Sequence, residues 1–257
     1  MTTPLAAPVG RATTGSRATR WLGILTLAGL GLLVWCAFWW SPPDVVQKDA
    51  VRLLYVHVPT AIVAFTACFI TTVASAMWLR RKSEGWWVLG LASAEVALVF
   101  TGVCLLTGAI WGRITWGTYW DWDPRITSTT MLFILLVGYL ALRRIDGESG
   151  DVGQRGGRSA VVGLLLFPNV LIVHFSVDWW RSLHQTATIT RLDPTIEGPM
   201  LFTLVLGIVV FSMLFVWLLI HRFRLAWLDE RVGVLGLDDA IRARRSEAHD
   251  PTPGGTS

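Results

Sequence analysis

Four of the chain's 15 tryptophans lie within the fifteen residues from Trp111 to Arg125. The centre of this stretch reads Trp116-Gly-Thr-Tyr-Trp-Asp-Trp-Asp123, so a glycine, a tyrosine and two carboxylates accompany the indole rings. One or two tryptophans at a helix end are typical of membrane anchoring, because the amphipathic ring settles among the lipid headgroups. A stretch this rich in rings and polar groups instead predicts a binding surface for a large, flat and mostly apolar ligand.

Two histidines elsewhere in the chain have neighbours that suit a site. His57 stands in Tyr-Val-His-Val-Pro59, where the proline suits the first turn of a helix. His184 follows Trp179-Trp-Arg-Ser-Leu. A lone imidazole near a membrane surface is more often solvated or hydrogen-bonded than a ligand, and for this pair both interpretations stay open. Trp179 and Trp180 are equally open between ligand contact and membrane anchoring.

Haem is a ligand that suits this set of residues. It is a flat ring of low polarity whose iron takes imidazole nitrogens as axial ligands, and tryptophan rings would cover its faces and edges. Its propionates would pair with arginine, whose planar guanidinium matches a carboxylate. On this hypothesis His57 and His184 bind the iron, and Arg52 and Arg125 are the cations best positioned for the propionates.

The composition excludes an ordinary soluble domain, because 53% of the 257 residues are apolar, 16% are charged and the mean hydropathy is +0.53. The apolar residues form runs long enough to cross a bilayer as helices, which takes about 20 residues each. The first run follows a short basic lead, but no small-x-small cleavage motif comes after it, so we interpret it as a retained helix. The predicted spans are Trp21–Trp40, Leu53–Leu79, Trp86–Ile110, Ile126–Leu142, Ala160–Val177 and Met200–Ile220.

The predicted fold class is therefore all-α, a polytopic membrane protein with six transmembrane helices and no soluble domain. Residues 1–20 are predicted to be a disordered basic N-terminus. Residues 21–221 form the six-helix membrane domain, with the tryptophan-rich stretch as its outer loop 111–125. Residues 222–257 are predicted to be a cytoplasmic tail that begins as a short helix on the membrane surface and frays at Pro251–Ser257.

The distribution of basic residues predicts the orientation. With six spans, 16 of the 22 lysines and arginines fall on the side of the two termini, and cytoplasmic segments are the ones enriched in these residues. Both termini are therefore predicted to be cytoplasmic, which puts His57, the loop 111–125 and His184 on the outer face. The same bias accounts for the net charge of +4, which does not indicate a nucleic-acid partner. The outer basic residues are Lys48, Arg52, Arg113, Arg125, Arg181 and Arg191.

Motifs for other chemistries are missing from the sequence. Cys36, Cys68 and Cys104 form neither the Cys-x-x-Cys of thiol exchange nor the Cys-x-x-Cys-His of covalent haem attachment, and there is no phosphate-binding loop. Glu95 lies deep in the third span, where an ionisable group is costly. We interpret it as a protonated acid bonded to a neighbouring helix, in preference to part of a polar path for cargo. His174 is interpreted as a packing residue.

The run Trp116–Asp123 resembles the tryptophan-rich "WWD" signature of the membrane proteins that handle haem in cytochrome c maturation. Together with His57-Val-Pro59, Trp179–Gln185 and six spans over about residues 20–220, it makes the chain most similar to the haem exporter protein C (CcmC) family. The resemblance implies that His57 and His184 are axial ligands of haem b. It also implies that the haem-binding signature falls on Trp116, Gly117, Tyr119, Trp120, Trp122 and Asp123.

The resemblance further implies partners and a place of action. Members of the family present haem on the outer face of the plasma membrane and pass it to a haem chaperone, CcmE. An ABC-type complex with CcmA, CcmB and CcmD then helps to release the loaded chaperone. Haem delivery is therefore the leading prediction, and no enzymatic activity is expected.

Two other functions are weighed against haem delivery. A cytochrome c haem lyase would join haem to apocytochrome thiols, but the superfamily members that do so have longer chains and further histidines within the membrane. Here His174 alone is near such a position. An ordinary small-molecule permease would not explain an aromatic loop outside the bilayer.

Overall fold

The computed structural model describes residues 15–147, 156–185, 196 and 198–249. This part of the chain is helical with short connections and contains no β-strand, which confirms the predicted all-α class. A π-helical turn, Cys36–Trp40, extends the first helix, and a 3-10 turn, Asp49–Leu53, leads into the second. The helices are α1 Arg17–Trp35, α2 Leu54–Arg81, α3 Glu84–Trp116, α4 Pro124–Gly147, α5 Gly157–Trp179 and α6 Gly198–His249.

Each of the six helical segments of this described part is long and apolar enough to cross a membrane, which confirms the predicted number of spans. The helices extend beyond the apolar runs, because the polar residues at the ends of these runs are also helical. Thus α3 runs to Trp116 and α4 begins at Pro124, so the tryptophan-rich connection is residues 117–123 and Trp111 is helical.

The first helix begins at Arg17, inside the segment predicted to be disordered. The reason is a capping box: the Ser16 side chain accepts from the Thr19 amide, and the Thr19 hydroxyl accepts from the Ser16 amide. Residues 1–14, residues 148–155 and Pro251–Ser257 lie outside the described residues.

At its other end the chain forms one helix of 52 residues where a span and a separate short helix were predicted. The part beyond the predicted span packs on the bundle, because Ala226 is buried against Trp78 and Trp87. Trp87 Nε1 also donates to Glu230 Oε1 at 3.0 Å.

The second helix lies at the centre of the bundle, where it contacts α3, α5 and α6, while α1 packs on α6 and α4 on α3 and α5. Its buried face is built largely from small residues such as Ala64, Ala67 and Ala74. Small side chains let membrane helices approach closely. Hydroxyls join the helices at the same interface, as between Thr71 and Ser93 at 2.6 Å.

Two intramembrane residues differ from their sequence interpretation. Glu95 is bonded to a neighbouring helix, as interpreted, but its partner is a cation, since Arg222 Nε on α6 donates to its Oε2 at 2.7 Å. The interpretation as a protonated acid missed this partner because it lies 127 residues away, on α6. His174 is exposed on α5, with its ring edge against Phe175, and is not a buried packing residue.

Candidate functional site

Three connections between helices meet at one end of the bundle. Gln47, in the connection between α1 and α2, accepts a hydrogen bond from Trp111 Nε1 at 2.9 Å. Asp123, at the end of the connection between α3 and α4, accepts from the Leu183 amide at 2.7 Å. The three segments predicted to share one face are therefore joined by direct hydrogen bonds.

The imidazole of His57 lies against the last turns of α3. A Cβ added to Gly108 would stand only 2.9 Å from His57 Cε1, so the ring occupies space that an alanine would take. The edge of the ring faces Trp111, with 5.7 Å between ring centroids. The first turns of α2 thus present His57 to a notch in α3, beside an aromatic wall.

The hydrogen bonds around His57 define which ring nitrogen is protonated. Its Nδ1 lies 2.9 Å from Thr107 Oγ1. The Thr107 hydroxyl already donates its proton within α3, to Val103 O at 2.8 Å or Cys104 O at 3.1 Å. The hydroxyl therefore accepts from His57, which puts the proton on Nδ1 and leaves the Nε2 lone pair for a ligand.

Asp123 is the residue that ties His184 to the rest of the site. Its carboxylate is 1% exposed and begins α4 by accepting from the Arg125 amide at 2.9 Å. On the other side it accepts from Ser182 Oγ and the Leu183 amide, both at 2.7 Å. Burial opposes ionisation, but these hydrogen bonds outweigh it and hold the pKa of the Asp123 carboxyl below its ordinary value.

The second imidazole is held in the same way as the first. His184 Nδ1 lies 3.1 Å from Asp123 Oδ1. Burial lowers the pKa of His184 despite the opposing effect of this carboxylate, so at neutral pH the ring is neutral and Nδ1–H donates to Asp123. Its Nε2 lone pair also remains for a ligand. The ring edge packs on Trp116, with 4.7 Å between centroids.

The two imidazoles share one electrostatic environment, because a charge on His184 or Arg125 would act on His57. Both rings lie beside α3, His57 at Gly108 and His184 at Trp116. These positions are eight residues apart, about 12 Å of helix rise. Helical side chains lean toward the N-terminus, which brings the Trp116 ring back toward His57.

The connection 117–123 presents aromatic rings to the outside of the fold. Gly117 ends α3 with φ of 79°, a left-handed conformation that favours glycine, and its carbonyl accepts from Arg113 Nη1. The side chains of Tyr119, Trp120 and Trp122 are 63%, 41% and 78% exposed. Large apolar side chains exposed together are typical of a binding surface.

The two predicted propionate partners have different environments. Arg125 Nη2 donates to His174 O at 3.0 Å, while its Nε is buried and has no hydrogen-bond partner in the part of the chain that the structure describes. Arg52 is engaged elsewhere: its guanidinium bonds Asp49 Oδ1, at 2.8 Å from Nη2, and Ala37 O. The structure therefore brings Arg125 into the site and directs Arg52 to the end of α1.

Sequence reasoning missed four residues that position the site: Gln47, Thr107, Gly108 and Ser182. Ser182 lies inside the run quoted around His184, and Thr107 is a polar residue near the end of an apolar span. Gln47 and Gly108 act through contacts 64 and 51 residues away, with Trp111 and His57. No local pattern carries such a signal.

Comparison with known proteins identifies the family. A family model described as "Heme exporter protein C" matches residues 1–236. The protein of that name in Haemophilus influenzae is 37% identical over 210 residues, 80% of this chain and 82% of that protein. Its counterpart in Bradyrhizobium diazoefficiens is 33% identical over 232 residues (88% and 85%), and that of Escherichia coli 33% over 186 (70% and 73%). The chain belongs to the haem exporter protein C family, CcmC.

Proposed function

We propose that this chain binds haem b at the outer face of the bacterial plasma membrane and delivers it to the haem chaperone CcmE. Membership of the family supports a role in haem export for cytochrome c biogenesis, which is a transport function and not an enzymatic one. The six apolar helices fit a multi-pass protein of the plasma membrane.

The observation that carries this proposal is the matched state of two histidines. In each ring Nδ1–H is donated, by His57 to Thr107 and by His184 to Asp123. A histidine that binds a metal through Nε2 is normally held in this way through its other nitrogen. His57 and His184 are therefore prepared to bind the two axial positions of one haem iron.

The remaining predicted residues are assigned to the rest of the haem. Tyr119, Trp120 and Trp122 offer exposed ring surface for the porphyrin. The buried Nε of Arg125 needs an acceptor, which a propionate would provide. Gly117 and Asp123 shape the loop rather than touch the haem, and Trp116 supports the His184 ring. We do not assign Arg52 a role in haem binding, because its guanidinium is used by Asp49 and Ala37.

The partners are proposed on the resemblance to the family. CcmA, CcmB and CcmD would form the ABC-type complex with this chain, and membrane lipid would cover the exposed apolar faces of the helices. Residues such as Leu27 on α1, 73% exposed, fit contact with lipid or with such subunits. Both termini are proposed to be cytoplasmic, as the basic residues predict.

Transfer of haem between purified proteins tests the proposal. The full chain, loaded with haem in a detergent micelle, is mixed with apo-chaperone, and the haem on each protein is measured after separation. A Trp120→Ala, Trp122→Ala double variant should lose much of its haem or fail to transfer it. Trp39→Ala is the control, because Trp39 is 73% exposed, close to the 78% of Trp122, but lies at the end of α1. Wild-type protein that binds no haem, or a double variant that transfers as well as Trp39→Ala, would overturn the proposal.

A further inference from the structure

We propose that the two histidines are unequal ligands, so that haem leaves by losing His57 first while His184 still holds it. This inference rests on the proposed function and adds an order to release. It follows from the difference between the two groups that accept the Nδ1 protons, a carboxylate for His184 and a hydroxyl for His57.

The carboxylate strengthens His184 as a donor to iron. Asp123 is 1% exposed, so water screens its charge at the imidazole much less than it would at the surface. A hydrogen bond from Nδ1–H to a carboxylate shifts electron density into the ring and raises the basicity of Nε2. Hydrogen bonds to an ionised acceptor are about twice as strong as those between neutral groups.

The hydroxyl gives His57 no comparable assistance. Thr107 is uncharged, and its own proton is donated to a backbone carbonyl of α3 at Val103 or Cys104. Its oxygen orients the ring but adds little electron density. The bond from iron to His57 is therefore the weaker of the two.

The backbone around His184 makes this ligand secure as well as strong. The His184 amide donates to Ser182 Oγ at 3.0 Å, and that hydroxyl donates to Asp123 at 2.7 Å. His184 also lies beyond the end of α5, whereas His57 lies within α2. Haem held by His184 alone is free of the helix bundle but retained at its surface, where an acceptor protein can take it.

Resonance Raman spectroscopy of the ferrous haem identifies the retained ligand. Carbon monoxide displaces one histidine from the full-length, haem-loaded protein, and photolysis then leaves iron bound to the other. The iron–histidine stretching band lies at higher frequency when Nδ1–H is bonded to a carboxylate. We expect a high band in the wild type, a lower one in Asp123→Asn, and no shift in Thr107→Val. Carbon monoxide should bind Thr107→Val about tenfold faster or more, since loss of such an outer partner weakens a ligand by about 10–100-fold.

Two control variants keep the test decisive. Thr107→Ser retains the hydroxyl and should behave as the wild type. Ser182→Ala removes its bonds to Asp123 and to the His184 amide but leaves the bond from His184 Nδ1 to Asp123, so it should move the band much less than Asp123→Asn. A low band in the wild type, or a band that moves in Thr107→Val and not in Asp123→Asn, would overturn the order. Equal shifts in Ser182→Ala and Asp123→Asn would do the same. Absence of haem from the wild type, seen in its absorption spectrum, would instead overturn the proposed function.

Discussion

Asp123 and His184 are 61 residues apart in the sequence, yet Oδ1 of the one lies 3.1 Å from Nδ1 of the other. The same carboxylate accepts the Arg125 amide at the start of α4. One buried group therefore connects a helix start, the loop after α5 and a proposed iron ligand. A substitution that breaks any of these three contacts should therefore weaken haem binding, because it disturbs the position of His184.

Substitutions of Asp123 should separate its role in holding the loop from the role of its negative charge. Asp123→Ala removes the cap of α4, worth about 1 kcal/mol, and leaves the buried donors of Ser182 and Leu183 unpaired at about 1–3 kcal/mol each. We expect a lower thermal midpoint and little bound haem.

Asp123→Asn is the matched comparison, because its one amide oxygen still accepts the hydrogen bonds of one carboxylate oxygen, while its NH2 group loses those of the other. It should retain more haem and more thermal stability than Asp123→Ala. Haem per protein, measured by absorption after purification, and the thermal midpoint in detergent provide the check. Equal loss of haem in both variants would mean that the charge itself is required.

Gly108 should be needed for the position of His57. The Cβ of Gly108→Ala would stand 2.9 Å from His57 Cε1 and force the ring out of its notch. We expect haem affinity to fall about tenfold while the protein still folds. Gly138→Ala is the control, since a Cβ there meets nothing within 4 Å in the described residues. Titration of both apo-proteins with haem measures the difference, and equal affinities would show that His57 does not need this notch.

Arg125 should distinguish haem from haem dimethyl ester, in which the propionates are neutralised. A hydrogen bond to a charged group is worth about 1.5–3 kcal/mol, so wild type should prefer haem by about tenfold or more. Arg125→Ala should lose this preference. Arg125→Lys should keep part of it, because lysine keeps the charge but not the planar set of donors.

Arg52→Ala is the informative companion to the Arg125 variants. Its loss should lower the thermal midpoint by freeing Asp49 and Ala37 O, while the preference for haem over the ester stays intact. Competition between haem and its dimethyl ester for each variant measures this preference. A preference lost in both Arg52→Ala and Arg125→Ala would restore the prediction from the sequence, in which both arginines bind the propionates.

Reporter fusions test the proposed topology. A reporter fused after Arg144 should be cytoplasmic, and one fused after Arg191 external, because an odd number of spans separates these points. Arg144 lies in the last turn of α4, and Arg191 lies outside the described residues. The same side for both reporters would contradict the six-span topology and the outer position of the haem site.

The number of spans could be predicted from the sequence because each apolar run is a local property. The ends of the helices could not, because they depend on capping and on packing. Trp111 shows the difference: it was assigned to a loop by its neighbours in the sequence, but it continues α3 and donates to Gln47.

Only those site residues that stand in a distinctive local run could be predicted from the sequence. His57, His184 and Asp123 stand in distinctive runs, and the structure joins these runs. Thr107 does not stand in a distinctive run, since a threonine near the end of an apolar helix is common. Its role depends on a single contact with His57, which the sequence around it does not indicate. Arg52 was assigned to the propionates by its nearness in sequence to His57, whereas its guanidinium direction depends on Asp49 and Ala37.

The absorption spectrum of haem-loaded variants tests the central claim most directly. Replacement of His57 or His184 by glycine should strip or reduce the bound haem, and added imidazole should restore part of it by filling the vacated axial position. His174→Gly, with an exposed ring on α5, should leave the spectrum unchanged. Wild-type spectra in both the His57→Gly and His184→Gly proteins would contradict axial ligation by this pair.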